Sequence, residues 1–173
     1  MTRVKVVSLW TLLASVTGAV GAYGGGSADA AEPVPGAWTA GAAVGFLSNE
    51  DATAFAINAN VETFLDRSFS VGPLLQIAVA PSLTQVGVSG QVKYWLDLGK
   101  GLKLTPQGGI GFVHTNVGDG DTSFLIPLGV GVDYALNRNV SATATFLLNL
   151  THLSTSPAAH GHVMPSLTFG FRF

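Results

Sequence analysis

The sequence contains no cysteine, few charged residues and, beyond its N-terminal segment, no long apolar run. The lack of cysteine excludes disulfide frameworks, thiol catalysis and a lipid-modified cysteine anchor. Only 10% of the 173 residues are charged although 47% are hydrophobic, whereas soluble domains carry about 25% charged residues. A membrane-spanning helix needs about 20 consecutive apolar residues, and no later run approaches that length. Alternating strands are therefore the way for this chain to cross a bilayer, because their backbone groups can pair with each other.

The N-terminal segment has the pattern of a secretory signal. Arg3 and Lys5 precede an uncharged, mostly apolar stretch, Val6–Val20, and the small residues Ala28-Asp29-Ala30 fit a cleavage site. The apolar stretch is short for a membrane anchor. We therefore predict a signal peptide over residues 1–30 and one mature domain over residues 31–173.

The final stretch, residues 163–173, alternates strictly between apolar and small or polar side chains. The apolar set is Val163, Pro165, Leu167, Phe169, Phe171 and Phe173. A period of two indicates a strand, and an apolar face opposite a polar one is typical of a strand that meets lipid outside a barrel and lines its interior.

Seven earlier segments alternate in the same way and are separated by turn residues. The predicted fold is therefore an all-β, eight-stranded, antiparallel up-and-down transmembrane β-barrel. Pro73, Pro106, Pro127 and Pro165 lie inside predicted strands, where each is expected to mark a bulge or a strand end. The predicted strands are Ala37–Leu47, Thr53–Leu65, Ser68–Ala80, Thr84–Leu98, Leu102–His114, Ser123–Leu136, Val140–Thr151 and Val163–Phe173.

Side-chain alternation places acids and bases inside the barrel, toward the end with the short, periplasmic turns. A barrel of eight strands is only wide enough for its own side chains, and buried charges need partners. We therefore predict a self-neutralising plug, and the alternative is a narrow pore or ion pathway. The predicted interior cluster is Glu62, Lys93, Asp97, Lys103, Asp133 and Arg172.

The four histidines fall at the opposite rim, with acidic residues and no lysine or arginine near them. Metal binding by His160, His162, Asp119 and Asp121 is one interpretation, and solvated loop residues are the other; we predict no metal and no cofactor. The missing basic residues argue against nucleic acid as a partner, and against clamping of lipopolysaccharide phosphates by arginine.

Two resemblances carry expectations about function. Phe169, Phe171 and Phe173 resemble the closing-strand signal that the barrel-assembly machinery reads in bacterial outer-membrane proteins. The mature length, through its strand number and this signal, resembles the small OmpA/OmpX-type barrels. That resemblance implies a monomeric structural or surface-interaction protein of the bacterial outer membrane, in contact with outer-membrane lipid and lipopolysaccharide.

An enzymatic alternative rests on His152-Leu153-Ser154, which resembles the His-x-Ser of outer-membrane lipid A deacylases. In that family the histidine is the base, the serine is the nucleophile, and an acid in the last strand orients the histidine. Here Thr155 stands where the family has asparagine, and residues 163–173 contain no acid. We therefore predict no enzymatic activity. A soluble lipid-carrying barrel is a further alternative, and it requires apolar side chains inside.

Overall fold

The computed structural model describes residues 34–48, 53–81, 83–116, 120–156 and 159–173. The predicted signal peptide, residues 1–30, lies outside this part of the chain. Alternating sequence segments form strands throughout the described part, as the period of two predicts. The strands are β1 (Trp38–Ser48), β2 (Thr53–Phe64), β3 (Phe69–Ala80), β4 (Leu83–Tyr94), β5 (Leu96–Gly99), β6 (Leu102–Thr115), β7 (Asp121–Ala135), β8 (Ser141–Ser156) and β9 (Ala159–Arg172).

The strands close into a barrel. Each strand pairs antiparallel with its neighbours, and β9 returns to pair with β1, where Val44 lies opposite Phe169. β4 and β5 both pair with β6 and form one barrel strand that is interrupted at Trp95. The result is a closed, eight-stranded, antiparallel transmembrane barrel, which confirms the predicted fold class.

The two ends of the barrel differ in their connections. At one end, here called the turn end, short turns join β2 to β3, β5 to β6 and β7 to β8. At the other, here called the loop end, β8 runs to Ser156 and β9 begins at Ala159. The predicted strands leave a loop between Thr151 and Val163, and this prediction is wrong for residues 152–156 and 159–162, which are strand. The ladder continues past the predicted strand ends with register shifts between Leu150 and Leu153, because pairing satisfies backbone groups that an open loop would leave unpaired.

The outer surface of the barrel is apolar. Phe171, in β9, points outward and is 50% exposed. The side chain of Lys93, in β4, points inward and is only 14% exposed. Such a surface suits lipid, whereas a soluble lipid-carrying barrel would direct these side chains inward. In the described ranges, no helix has the length and apolar character needed to cross a membrane. Exposed aromatic residues lie near both ends: Trp38, Phe69, Tyr94, Tyr134 and Phe171 at the turn end, and Phe46, Phe55, Phe112 and Phe124 at the loop end.

Glycine and proline modify this barrel in different ways. A Cβ atom at Gly111 would collide with the backbone oxygen of Val88, on the neighbouring strand, so glycine allows the strands to curve tightly at this position. The prediction that prolines mark bulges or strand ends is wrong for Pro106 and Pro165, which stay in register inside β6 and β9. A proline lacks one N–H donor but keeps its carbonyl, so the surrounding pairs can hold the ladder.

Candidate functional site

The interior of the turn end is built around the carboxylate of Glu62. Glu62 faces inward from β2 and is fully buried, at 0% exposed. Its Oε2 accepts a hydrogen bond of 2.7 Å from Ser70 Oγ, and its Oε1 lies 3.3 Å from Lys93 Nζ. Asn60 Nδ2 and Thr39 Oγ1 also donate to Oε1, at 3.3 and 3.5 Å. Four strands therefore supply partners that compensate the cost of burying this charge.

Trp95 covers this carboxylate group at the break between β4 and β5. Its backbone N–H donates to the oxygen of Ser68 at 2.7 Å, and its indole Nε1 donates to Ser70 Oγ at 2.8 Å. Its ring packs on Phe64 with centroids 5.3 Å apart. The break in the strand thus places a large, buried ring inside the barrel, and the Ser70 hydroxyl links that ring to Glu62.

Arg172 joins a second ion pair to the same ring. Its Nε donates to Asp133 Oδ1 at 2.8 Å and its Nη2 to Ser141 Oγ at 3.3 Å. The guanidinium carbon lies 4.7 Å from the Trp95 ring centroid, and Lys93 Nζ lies 5.9 Å from it. Cations within about 6 Å of an aromatic face are attracted to it. Trp95 therefore connects the two ion pairs into one network.

The remaining members of the predicted cluster, Asp97 and Lys103, lie beside this network. Lys103 is buried, and its strand position is opposite Asp97 on one side and Asp133 on the other. Asp97 is exposed at the end of the barrel, and its Oδ1 accepts a hydrogen bond of 2.7 Å from Gly99 N. The structure therefore brings Glu62, Lys93, Asp133 and Arg172 into contact through Trp95, with Lys103 buried alongside and Asp97 at the rim.

The loop-end half of the interior contains an apolar cluster beside buried, uncharged polar residues such as Gln85, Thr115 and Asn149. Its inward apolar side chains form a buried cluster without charged groups, and the members are Leu47, Ala54, Ala56, Ala78, Val113, Leu125 and Met164. Between this cluster and the ion pairs lies a cavity of about 40 Å³ lined by residues that include Asn58, Gln91 and Thr168. A cavity of this size holds at most a few water molecules.

Three contributors to this interior were not identified from the sequence: Trp95, Ser70 and the apolar cluster. Trp95 shares the inward face of its strand with Lys93 and Asp97. A bulky aromatic residue on a face that is otherwise small and polar could have identified Trp95 as part of the interior. Its contact with Arg172 joins residues that are 77 positions apart in the chain, and strand alternation alone does not predict that contact.

The candidate metal and catalytic residues that the structure describes, Asp121, His152, Ser154, His160 and His162, lie on strands at the loop end. Asp119 and the side chains of His160 and His162 are outside the described part of the chain, and Asp121 is within it. Among the described residues, no three histidine, cysteine, aspartate or glutamate side chains form a group that could hold a metal. His114 is exposed, with its Nδ1 2.7 Å from Thr122 Oγ1.

Only part of the candidate deacylase motif has side chains that the structure describes. His152 is exposed, and its backbone N–H donates to Ser123 Oγ at 3.2 Å. Ser154 lies in β8, but its side chain is outside the described set. The distance between the two functional groups is therefore not part of the described geometry, and the prediction of no catalysis stays a prediction.

Comparison with solved structures places this architecture among small outer-membrane barrels. The chain is similar to Neisserial surface protein A (NspA), with a TM-score of 0.59 and 19% identity over 78% of this chain and 94% of that one. It is similar to the N-terminal β-barrel domain of Pseudomonas aeruginosa OprF, with a TM-score of 0.56 and 16% identity over 78% and 97% of the two chains. A de novo designed transmembrane β-barrel matches with a TM-score of 0.51 and 15% identity over 82% and 98%.

No family model and no curated protein sequence matches the chain. The similarity is therefore one of fold: an eight-stranded transmembrane barrel of the type found in outer-membrane proteins.

Proposed function

We propose that this protein is an outer-membrane barrel with a closed interior, which serves as a structural or surface-interaction protein. The observation that carries the proposal is the network around Trp95, which fills the turn end with two ion pairs and a buried ring. An apolar cluster and buried, uncharged polar residues occupy the other half. A barrel interior filled by these two sets of side chains leaves no aqueous path. Membrane anchoring and display of the loop end are then the roles that the barrel supports.

Placement in the bacterial outer membrane is part of this proposal. Both natural proteins named above are barrels with the same number of strands, and the exposed apolar surface of this chain requires lipid contact. Lipopolysaccharide would then surround the loop end, and phospholipid the turn end. We propose a monomer, because the barrel closes on itself through the pairing of β1 with β9 and so removes the open edges of the sheet along these residues.

The assembly signal is a second part of the proposal. Phe169 and Phe171 face outward from β9, and Phe173 exchanges two backbone hydrogen bonds with Ala40, at 2.8 and 3.1 Å. β9 is the strand that closes the barrel on β1. Recognition of these aromatics by the assembly machinery would therefore act on the strand whose pairing completes the fold.

Planar-bilayer recording of the purified, folded protein tests the closed interior. We expect no steady conductance, and we expect Trp95→Ala to remain silent as well, because the apolar cluster around Leu125 still fills the loop-end half. A general porin recorded in the same bilayers is the positive control. Reproducible single-channel steps from the unmodified protein would contradict the proposal and favour the narrow pore.

A further inference from the structure

The three short turns at the turn end share a sequence pattern that plays no part in filling the barrel interior. Each has an outward leucine followed two residues later by a basic residue: Leu65 and Arg67, Leu98 and Lys100, Leu136 and Arg138. The leucines are 60%, 58% and 48% exposed, and all three basic residues are exposed. A large apolar side chain and a cation therefore lie side by side at three places around one rim.

The turns hold their short polar side chains against their own backbones. Asp66 Oδ1 accepts hydrogen bonds from Ser68 N and Phe69 N, at 2.6 and 2.8 Å. Asn137 Oδ1 accepts two similar bonds, from Asn139 N and Val140 N, at 2.8 and 2.9 Å. In the third turn Lys100 takes a positive φ of 55°. Each turn is thus locally ordered around its cation.

The three cations have no anionic partner within the described residues. The ion pairs of Lys93 and Arg172 are inside the barrel, and no carboxylate of the described chain lies within 4.0 Å of Arg67, Lys100 or Arg138. Two exposed acids, Asp66 and Asp97, share this rim and reduce its positive charge. The turn with Arg138 has Asn137 at the corresponding position and so carries a cation without an acid.

The depth of these residues is indicated by the aromatic side chains beside them. Tyr94, Phe69 and Tyr134 are exposed near the turn end, and aromatic residues of membrane proteins concentrate at the boundary between hydrocarbon and headgroups. The leucines would then lie at the edge of the hydrocarbon. The basic side chains are long enough to reach the phosphate level from that position.

We propose that these three turns form a collar that binds the phosphate groups of anionic phospholipids in the leaflet at the turn end. The inference rests on the proposed membrane location. A phospholipid satisfies both halves of the repeated pattern, because its acyl chains cover the leucine and its phosphate pairs with the cation. A soluble anionic partner would satisfy only the cation and would leave the neighbouring leucine in water.

Native mass spectrometry of protein released from nanodiscs tests this collar. The nanodiscs contain equal parts of phosphatidylcholine and phosphatidylglycerol, and the readout is the ratio of the two lipids that remain bound. We expect a preference of about fivefold or more for phosphatidylglycerol, since a basic residue near an anionic bilayer contributes roughly that factor. The triple variant Arg67→Gln/Lys100→Gln/Arg138→Gln should lose the preference.

Matched variants separate charge from structure. Arg67→Lys/Arg138→Lys keeps the charges and should keep the preference, and Arg138→Gln should weaken it more than Arg67→Gln, because Asp66 already offsets Arg67. Excess glycerol phosphate should leave the bound lipid unchanged; displacement by it would assign the site to a free phosphate instead. An unchanged lipid ratio in the triple variant would overturn the collar.

The same samples distinguish this inference from the proposed function. Insertion into nanodiscs with absent conductance, but with no lipid preference, would reject the collar alone. Failure of the unmodified protein to insert would reject the membrane barrel itself. The substitutions lie in exposed turns, and a heat-modifiable band on gels confirms that each variant has folded before its lipids are measured.

Discussion

The two halves of the barrel interior are lined by side chains of different chemistry. At the turn end, the buried charge of Glu62 is balanced by Lys93 and by three hydrogen-bond donors, and Trp95 holds the group together. At the loop end, residues such as Leu125 and Met164 form an apolar cluster without charged groups, beside buried uncharged residues such as Asn149. The first half depends on specific pairs of atoms, whereas the second depends on volume.

This difference predicts unequal tolerance to substitution. A buried carboxylate that loses its cation keeps its desolvation cost, so one change affects the whole network. An apolar cluster accepts another side chain of similar volume with little loss. The turn end should therefore be the part of the interior that is sensitive to residue identity.

Replacing Lys93 by methionine should have the largest effect. The change leaves Glu62, whose side chain is 1% exposed, without its cation, and we expect the free energy of unfolding to fall by about 3 kcal/mol. Equilibrium unfolding in urea, with the protein folded into lipid vesicles, measures the loss. Leu125→Met, the matched change in the apolar half, should cost less than about 1.5 kcal/mol.

A second variant shows whether the loss comes from the unpaired charge. Adding Glu62→Gln to Lys93→Met should restore much of the stability, because no buried charge then remains. The comparison between the two halves would be wrong if Lys93→Met cost no more than Leu125→Met.

Removal of Phe173 should have a smaller effect, on assembly. It deletes two backbone hydrogen bonds to Ala40 and one aromatic of the proposed signal. We expect several-fold less folded protein in the outer-membrane fraction, read as the heat-modifiable band on gels, since β9 must pair with β1 to close the barrel. Phe173→Tyr keeps both the backbone and the ring and should assemble normally. Unchanged assembly of the shortened protein would reject the signal.

At the loop end we expect no catalytic effect. A serine is a weak nucleophile unless an oriented base removes its proton, and no acid lies in residues 163–173 to orient His152. Incubation of the folded protein with lipid A in detergent should show no loss of an acyl chain by mass spectrometry. Deacylation that disappears in both His152→Ala and Ser154→Ala would establish the enzymatic alternative.

Strand number and facing were predictable from this sequence because alternation is a local property. With β4 and β5 taken as one strand, five of the eight predicted strands begin and end within one residue of the observed bounds. Phe171 and Lys93 face as alternation predicts. The extension of the β8–β9 hairpin through residues 152–156 and 159–162 was not predicted, because these residues lack the apolar alternation while their backbones still pair.

The interior was predictable only by residue type. Alternation identified which charges point inward, and the barrel size indicated that they must neutralise each other. It did not indicate that Arg172 pairs with Asp133 and not with Glu62, since the choice between partners depends on the stagger of β9 against its neighbours. Asp97 is exposed because it lies at the rim of the barrel. Alternation gives the face of the strand on which a residue lies, but not its position along the barrel axis.

By itself, then, the sequence determined the strand pattern, the apolar outer surface and the inward set of charges, because each follows from a period of two along one segment. Only the tertiary structure decided that Trp95 turns into the barrel and bridges two ion pairs, and that an apolar cluster fills the opposite half. Those contacts join strands far apart in the chain, and they exist only after closure of β9 on β1 has set the register of every strand.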